Sequence, residues 1–319
     1  MTPGGTASIV VAYGTAAAFT CALTPVARRL ALRSGAVDVP DARKTHARPL
    51  PTSGGAAIIV GFLLAASLAR ALPEVRPQAL LAIVAGGLSV AVVGFVDDLR
   101  DLPAKLKLVL QIISTVPLLV AGVTVSFLTD PFHHSMVALP IWLAWTITVV
   151  WVVGVTNAIN LIDGLDGLAA GVSAIACVAL AIVAAAWQQP GVALLCAALA
   201  GAAAGFLPWN WHPARIYMGD TGAYFLGYMI AALTILGAFK MAAAISVLVP
   251  ILVLAVPLLD TALSPVRRYF RGRPAFAADR EHLHHRLIAL GLSEPRVVLL
   301  TYAVTGVCGA IAIWMSRKG

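Results

Sequence analysis

The chain has 319 residues, 60% hydrophobic and only 11% charged, with a formal net charge of +8 and a mean hydropathy of +0.92. Soluble domains carry about 25% charged residues, so a soluble fold is excluded, and the continuous rather than alternating apolar runs exclude a β-barrel. The expected class is an all-α integral membrane protein, one polytopic domain over residues 1–319 with about ten transmembrane helices of roughly 20 residues each.

The first apolar run, 7–27, has no Lys or Arg before it and Arg28, Arg29 and Arg33 after it. This is the pattern of a retained first helix with its C-terminal end in the cytoplasm, not of a cleaved signal peptide, which needs a basic start. The loop that follows, 28–52, contains a proline-rich stretch with Lys44 and His46, which reads as substrate-binding or as a plain orientation signal. Runs 53–72 and 78–96 lead to Asp97-Asp98, and Lys105 and Lys107 open the fourth run, 107–126. Carboxylates are costly in hydrocarbon, so acids gathered at a membrane boundary suggest a site. Neighbouring positions on a helix face apart, so Asp97 and Asp98 are expected to do different jobs.

The outer loop near 127–137 holds His133-His134, which reads as ordinary polar surface. Run 138–155 ends in NAINLIDGLDG, with Asn157, Asn160, Asp163 and Asp166. If this segment is helical, the two acids share a face, and Gly164 and Gly167 let another group come close. Capping of the next helix would occupy one acid, but not four polar residues in ten positions. In runs 165–186 and 190–207, Gly201 and Gly205 stand four apart, which suits close helix packing.

The motif IYMGDTG precedes run 221–238. Asp220 would cap that helix, Thr221 and Gly222 would turn N–H groups toward an anion, and Tyr217 would stack on a base. Pro250 and Pro257 are expected to kink the ninth run, 241–262, where protein or a wet cavity meets the freed backbone. The last inner loop combines Arg267, Arg268, Arg271, Arg273, Arg280 and Arg286 with His282, His284 and His285, a set suited to phosphate, before the final run, 297–315. Cys21, Cys177, Cys196 and Cys308 all fall inside runs without metal-site spacing and read as packing residues.

With ten spans, one side of the membrane receives loops 28–52, 97–106, 156–164, 208–220 and 263–296, which hold or directly flank 17 of the 22 Lys and Arg residues. The positive-inside rule puts these loops in the cytoplasm and both termini outside, so every acidic motif opens on the cytoplasmic face. The net charge then needs no nucleic acid to explain it. Acids, arginines, histidines and amides on one face suit a metal plus a polyphosphate, and hard oxygen ligands favour Mg2+ or Mn2+.

In this order, VDD, NLIDGLDG, MGDTG and DREHLHHRL resemble the motifs of the polyprenyl-phosphate N-acetylhexosamine-1-phosphate transferases, the family of MraY, WecA and TagO. The resemblance runs from RKTHARPLPTSGG to the last span, and MGDTG and HLHHR are closer to the WecA and TagO branch. It implies a multi-pass protein of the bacterial cytoplasmic membrane that uses Mg2+. The implied reaction transfers N-acetylglucosamine 1-phosphate from UDP-N-acetylglucosamine to undecaprenyl phosphate and releases UMP. Another UDP-amino sugar or UDP-N-acetylmuramoyl-pentapeptide is the alternative donor. A transporter is the non-enzymatic alternative, but the acids sit at one face and no inverted repeat is visible.

The resemblance also implies roles. Asp220 would be the metal ligand, and Asp97 and Asp98 would stand at the acceptor phosphate and catalytic centre. Asp163 and Asp166 would line the nucleotide and metal pocket beside Asn160. Asn210 and Tyr217 match positions that hold the uracil. Lys105 matches a basic position after the paired acids, and His282, His284 and His285 with Arg286 would lie near the sugar and diphosphate. Lys44 and His46 join the substrate set from the first loop. Homodimers are common in such proteins, and nothing in the sequence marks an interface.

Overall fold

The computed structural model describes residues 3–35, 37–38, 50–67, 75–129, 136–238, 243–261 and 283–317. Among these, helix covers at least part of all ten predicted runs. Among the described residues, seven helices are long and apolar enough to cross a membrane, so the chain is a multi-pass membrane protein. They are α1 (Pro3–Ser34), α3 (Pro77–Arg100), α6 (Ile141–Ile162), α7 (Leu168–Ala186), α8 (Pro190–Asn210), α9 (Gly219–Ala238) and α13 (Glu294–Ser316).

The other three runs hold shorter pieces. The first is α2 (Gly54–Ala66). The run at 107–126 is split into α4 (Ala104–Ser114) and α5 (Val116–Val120) at Thr115, because Pro117 has no N–H to continue the ladder. The ninth run is split at Leu254 into α10 (Ala243–Val253) and α11 (255–261), between Pro250 and Pro257, where the prolines predict a break. A short α12 (Leu283–Ala289) precedes α13.

Two antiparallel ribbons were not expected. β1 (Val37–Asp38) pairs with β2 (Leu50–Pro51), and β3 (Phe127–Thr129) pairs with β4 (Met136–Ala138). They join loop ends and are too short for any alternation to show. Helix α1 runs seven residues past its apolar run, through Arg28 and Arg33, because Ala, Leu and Arg are strong helix formers. It stops where Gly35 takes φ +73°, the left-handed turn that ends many helices.

Burial sorts the helices into a centre and a wall. In α7, α8 and α9, 78%, 83% and 83% of the membrane-length window is inside protein, against 22% for α1 and 33% for α13, so α7, α8 and α9 are the core and α1 and α13 meet lipid. Helix α9 packs on α3 and α6, and α8 packs on α1 and α7. Side chains at Gly201 and Gly205 would fall 2.2 Å and 2.3 Å from the backbone oxygens of Tyr13 and Ala17, so this glycine pair is what lets α1 touch α8. All four cysteines are free, with Cys177 and Cys196 buried in the α7–α8 core.

Candidate active site

Polar side chains bind the C-terminal ends of α1, α3, α6 and α8 to the N-terminal ends of α2, α9 and α13, so the acidic motifs share one end of the bundle. Helix α3 closes on Asp101 at φ 45°, and Asp97 Oδ1 accepts the next N–H, that of Leu102, at 2.9 Å. The other oxygen of Asp97 pairs with Lys107 Nζ at 2.7 Å and accepts the Tyr224 hydroxyl at 3.2 Å. The Asp220 carboxylate lies alongside, within hydrogen-bonding reach of Asp97. Asn160 donates to Asp220 Oδ1 at 2.7 Å.

Asp98 points the other way, as its adjacent helical position requires. Its Oδ1 accepts the Asp220 N–H at 2.8 Å, and its Oδ2 accepts the Thr221 N–H at 3.2 Å and the Thr221 hydroxyl at 2.7 Å. Asp98 therefore caps α9 from another helix. This corrects two expectations. Asp220 sits inside the first turn rather than capping it, and the Thr221 N–H that was to greet an anion already holds a carboxylate. Gly94, one turn before Asp98, makes the approach possible: a side chain there would lie 2.4 Å from the Asp220 carbonyl oxygen.

Residues 163–167 form a turn, not a helix, so Asp163 and Asp166 do not share a helical face. Gly167 at φ +78° allows that turn and starts α7. Neither acid caps α7; the Gly167 N–H goes to Asn210 Oδ1 at 3.0 Å. Asn210 is buried and also donates to the Ile216 carbonyl at 3.1 Å, so it braces the 163–167 turn against the α8–α9 loop. Asp166 accepts the Ala214 N–H at 2.9 Å and meets His212 Nδ1 at 3.0 Å, while Glu294 of α13 lies 3.5 Å from the same nitrogen. Asp163 is half-buried by surface area, but burial of its carboxyl, and then the charges of Asp98 and Asp166, push its pKa up to about 7.

The remaining sequence-predicted residues divide. Tyr217 is half-buried, and its backbone pairs with the start of α2: its N–H donates to the Pro51 carbonyl at 2.9 Å and its carbonyl accepts from Gly54 at 2.9 Å. Lys105 is exposed on the first turn of α4; Lys107, two residues on, is the lysine that turns inward. Arg286 is exposed on α12. Lys44, His46, His282, the arginines from 267 to 280, and His133-His134 lie outside the described residues, as do the side chains of His284 and His285.

Sequence reasoning did not single out Lys107, Tyr224, His212 or Glu294 as site residues. Two of them carried a signal: Tyr224 follows Asp220 by four positions, hence on its face of α9, and Lys107 precedes Gln111 by four, hence on one face of α4. His212 and Glu294 carried none, because their meeting with Asp166 joins three distant segments.

Tyr302 of α13 locks the same turn from outside by donating its hydroxyl to the Gly167 carbonyl, and its ring fills the space a Gly171 side chain would need. Tyr302→Phe is expected to cost about 1 kcal/mol, the net value of one hydrogen bond. Gly171→Ala is expected to cost more, by forcing the ring out. Thermal unfolding in detergent would check the order, and an unchanged Tm for both would show that the turn is held by other contacts.

The site is thus a cluster of four carboxylates (Asp97, Asp98, Asp163 and Asp220) with Lys107 as the ion-paired cation among the described residues. Its donors are oxygens throughout, which suits a hard divalent cation.

Comparison with known proteins agrees in extent and kind. Residues 80–238, which contain all four carboxylates, match the description "Glycosyl transferase family 4". The chain is 39% identical, over 93% of its length and 82% of the relative's, to the probable undecaprenyl-phosphate N-acetylglucosaminyl 1-phosphate transferase of Bacillus subtilis. It is 36% identical, over 92% of its length and 79% of the relative's, to the decaprenyl-phosphate N-acetylglucosaminephosphotransferase of Mycobacterium tuberculosis. To the undecaprenyl-phosphate alpha-N-acetylglucosaminyl 1-phosphate transferase of Salmonella typhi it is 28% identical, over 91% of its length and 80% of the relative's.

Proposed function

The chain belongs to glycosyl transferase family 4, the polyprenyl-phosphate N-acetylhexosamine-1-phosphate transferases, and on that premise we propose that it transfers N-acetylglucosamine 1-phosphate from UDP-N-acetylglucosamine to a polyprenyl phosphate. UMP leaves and a lipid-linked diphosphate sugar remains. The observation that carries the reading is the facing pair Asp97 and Asp220, gripped by Lys107 and Asn160 where the helix ends meet.

Both reactants are anions near −2, and at about 5 Å with an effective dielectric near 20 their repulsion is on the order of 10 kcal/mol. Cations must offset it. Asp97 and Asp220 fit a divalent ion, Mg2+ or Mn2+, by their oxygen donors and mutual approach; such an ion would neutralise charge on the transferring phosphate. Lys107 supplies a fixed positive charge at the same place and, as the inward lysine, is the better candidate than Lys105 to meet the acceptor phosphate.

No strong base is needed. A phosphate monoester has a second pKa of about 6, so the acceptor is already mostly dianionic at neutral pH. Its oxygen attacks the sugar-bearing phosphorus in line, and the bond to the UMP oxygen breaks. Asp98, with three contacts to α9, is read as a positioning residue rather than a proton acceptor. The charge of the basic loops supports an orientation with this end of the bundle in the cytoplasm, where the nucleotide arrives, with ten crossings and both termini outside. The prenyl chain stays in the bilayer, and the break between α10 and α11 offers irregular backbone against which it can lie.

The test is a transferase assay with purified protein, undecaprenyl phosphate and Mg2+, following UMP and lipid by mass spectrometry. UDP-N-acetylglucosamine, UDP-N-acetylgalactosamine and UDP-N-acetylmuramoyl-pentapeptide are separate arms. A lipid diphosphate sugar from the first donor is expected, abolished by EDTA and by Asp220→Asn. Exchange of UMP into UDP-sugar without lipid would replace direct attack by a covalent enzyme intermediate. No product in any arm, with folded protein, would overturn the reading.

A further inference from the structure

Beyond the carboxylates, one polar contact inside the bundle has no place in the reaction. Gln111 of α4 and Asn157 of α6 form a reciprocal amide pair. Asn157 Nδ2 donates to Gln111 Oε1 at 2.7 Å, and Gln111 Nε2 donates back to Asn157 Oδ1 at 3.3 Å. Asn157 Nδ2 spends its second hydrogen on the Val153 carbonyl at 2.8 Å, which fixes the orientation of the amide. Gln111 is only 2% exposed, so the pair is closed to substrate from the α4 side.

Stability does not explain the pair. Polar contacts between membrane helices are weak on average, and apolar side chains of similar shape would pack as well. Position does explain it. Gln111 follows Lys107 by four residues on α4, and Asn157 precedes Asn160 by three on α6, so each amide shares a helix face with one of the side chains that grip the facing carboxylates. The next turn of α4 is tied as well: the Ser114 hydroxyl meets that of Ser89 on α3 at 3.0 Å, and Tyr228 of α9 donates to the Ser114 carbonyl at 3.1 Å.

We propose that the Gln111–Asn157 pair is a positioning strut. It sets the spacing of α4 and α6, and so the separation at which Lys107 and Asn160 hold Asp97 and Asp220 for a divalent cation. This rests on the reading of that carboxylate pair as a cation site. Loss of the strut lets α4 slide on α6, and the carboxylates no longer meet at ligand distance.

The experiment uses the full chain in detergent, with Asn157→Leu, Gln111→Leu, the double Leu variant and the swap Gln111→Asn/Asn157→Gln. Mn2+ binding is titrated by electron paramagnetic resonance, with Tm and transferase kinetics beside it. Each single variant is expected to weaken Mn2+ about 10-fold and lower kcat by a similar factor, the usual effect of removing a group behind the ligands. The UDP-sugar KM should stay within about 2-fold, as for a group that does not touch the donor. The double Leu variant should recover Tm, having no orphaned amide, but not Mn2+ affinity; the swap should recover both. Parental Mn2+ affinity and kcat in the double Leu variant, or a folded swap no better than the single variants, would overturn the strut. A parent chain that binds no Mn2+, or binds it unchanged after Asp220→Asn, would instead overturn the cation site itself, and the strut with it.

Discussion

Asp98→Ala is expected to remove nearly all transferase activity and to lower stability by about 2–4 kcal/mol, the sum of a lost helix cap and unpaired donors. The reason lies in what Asp98 holds. Two N–H groups and one hydroxyl at the start of α9 converge on its carboxylate, and Asp220 sits on that same first turn. Without the carboxylate the turn frays and Asp220 leaves Asp97. Asp98→Asn keeps the shape but replaces one acceptor oxygen with a donor, so it should retain more stability than the Ala variant and little more activity. The pH profile separates this from general-base catalysis. A missing base gives activity that rises through about pH 6, where the acceptor phosphate loses its second proton unaided, whereas a displaced ligand gives a uniformly low profile. Asp98→Asn with near-parental activity would remove Asp98 from any essential role.

Gly94→Ala should have a comparably large effect although it changes no polar group. The added carbon would lie 2.4 Å from the Asp220 carbonyl oxygen, 2.5 Å from its carbon and 2.6 Å from the Thr221 nitrogen. All three are backbone atoms and cannot rotate away, so α3 and α9 must separate. Overpacking of this kind costs about 1–3 kcal/mol, and a shift near 1 Å at a reacting centre costs on the order of 100-fold in rate. Gly154→Ala on α6 is the matched control, since a side chain there meets nothing within 4 Å. It should leave activity unchanged and gain up to about 1 kcal/mol of helix propensity. Equal activity in the two variants would mean that the α3–α9 contact yields without moving the carboxylates.

What the sequence made legible follows from range. Apolar runs of membrane length announced the helices, and Pro250 and Pro257 announced the break at Leu254, because both are local facts. Pro117 announced the α4–α5 break just as plainly but lay inside a long apolar run that masked it. Adjacent Asp97 and Asp98 were legible as groups with different tasks, since helical geometry separates neighbours. Their partners were not. Asp98 meets residues more than 120 positions away, and Asn210 reaches back 43 positions to the Gly167 N–H, where Asp163 or Asp166 looked like the natural cap. Lys105 and Lys107 could be told apart only once the face that α4 turns inward was known. The small ribbons of 37–38 with 50–51 and 127–129 with 136–138 leave no pattern in so few residues.

The trans cap on α9 also bears on how the protein is made. Asp97 finds Lys107 ten residues later, so its charge is offset as soon as α4 follows α3 into the bilayer. Asp98 waits for Asp220 and Thr221, 122 and 123 residues downstream. At about 5–20 residues per second that is roughly 6–25 s of synthesis, during which an ionisable side chain stands at the lipid boundary with its partners not yet translated. Early helices must therefore be sheltered, by the insertion machinery or by one another, until α9 arrives. The acid-bearing end of the bundle then closes late, and on the proposed function a nascent chain can bind no substrate productively before most of it has left the ribosome.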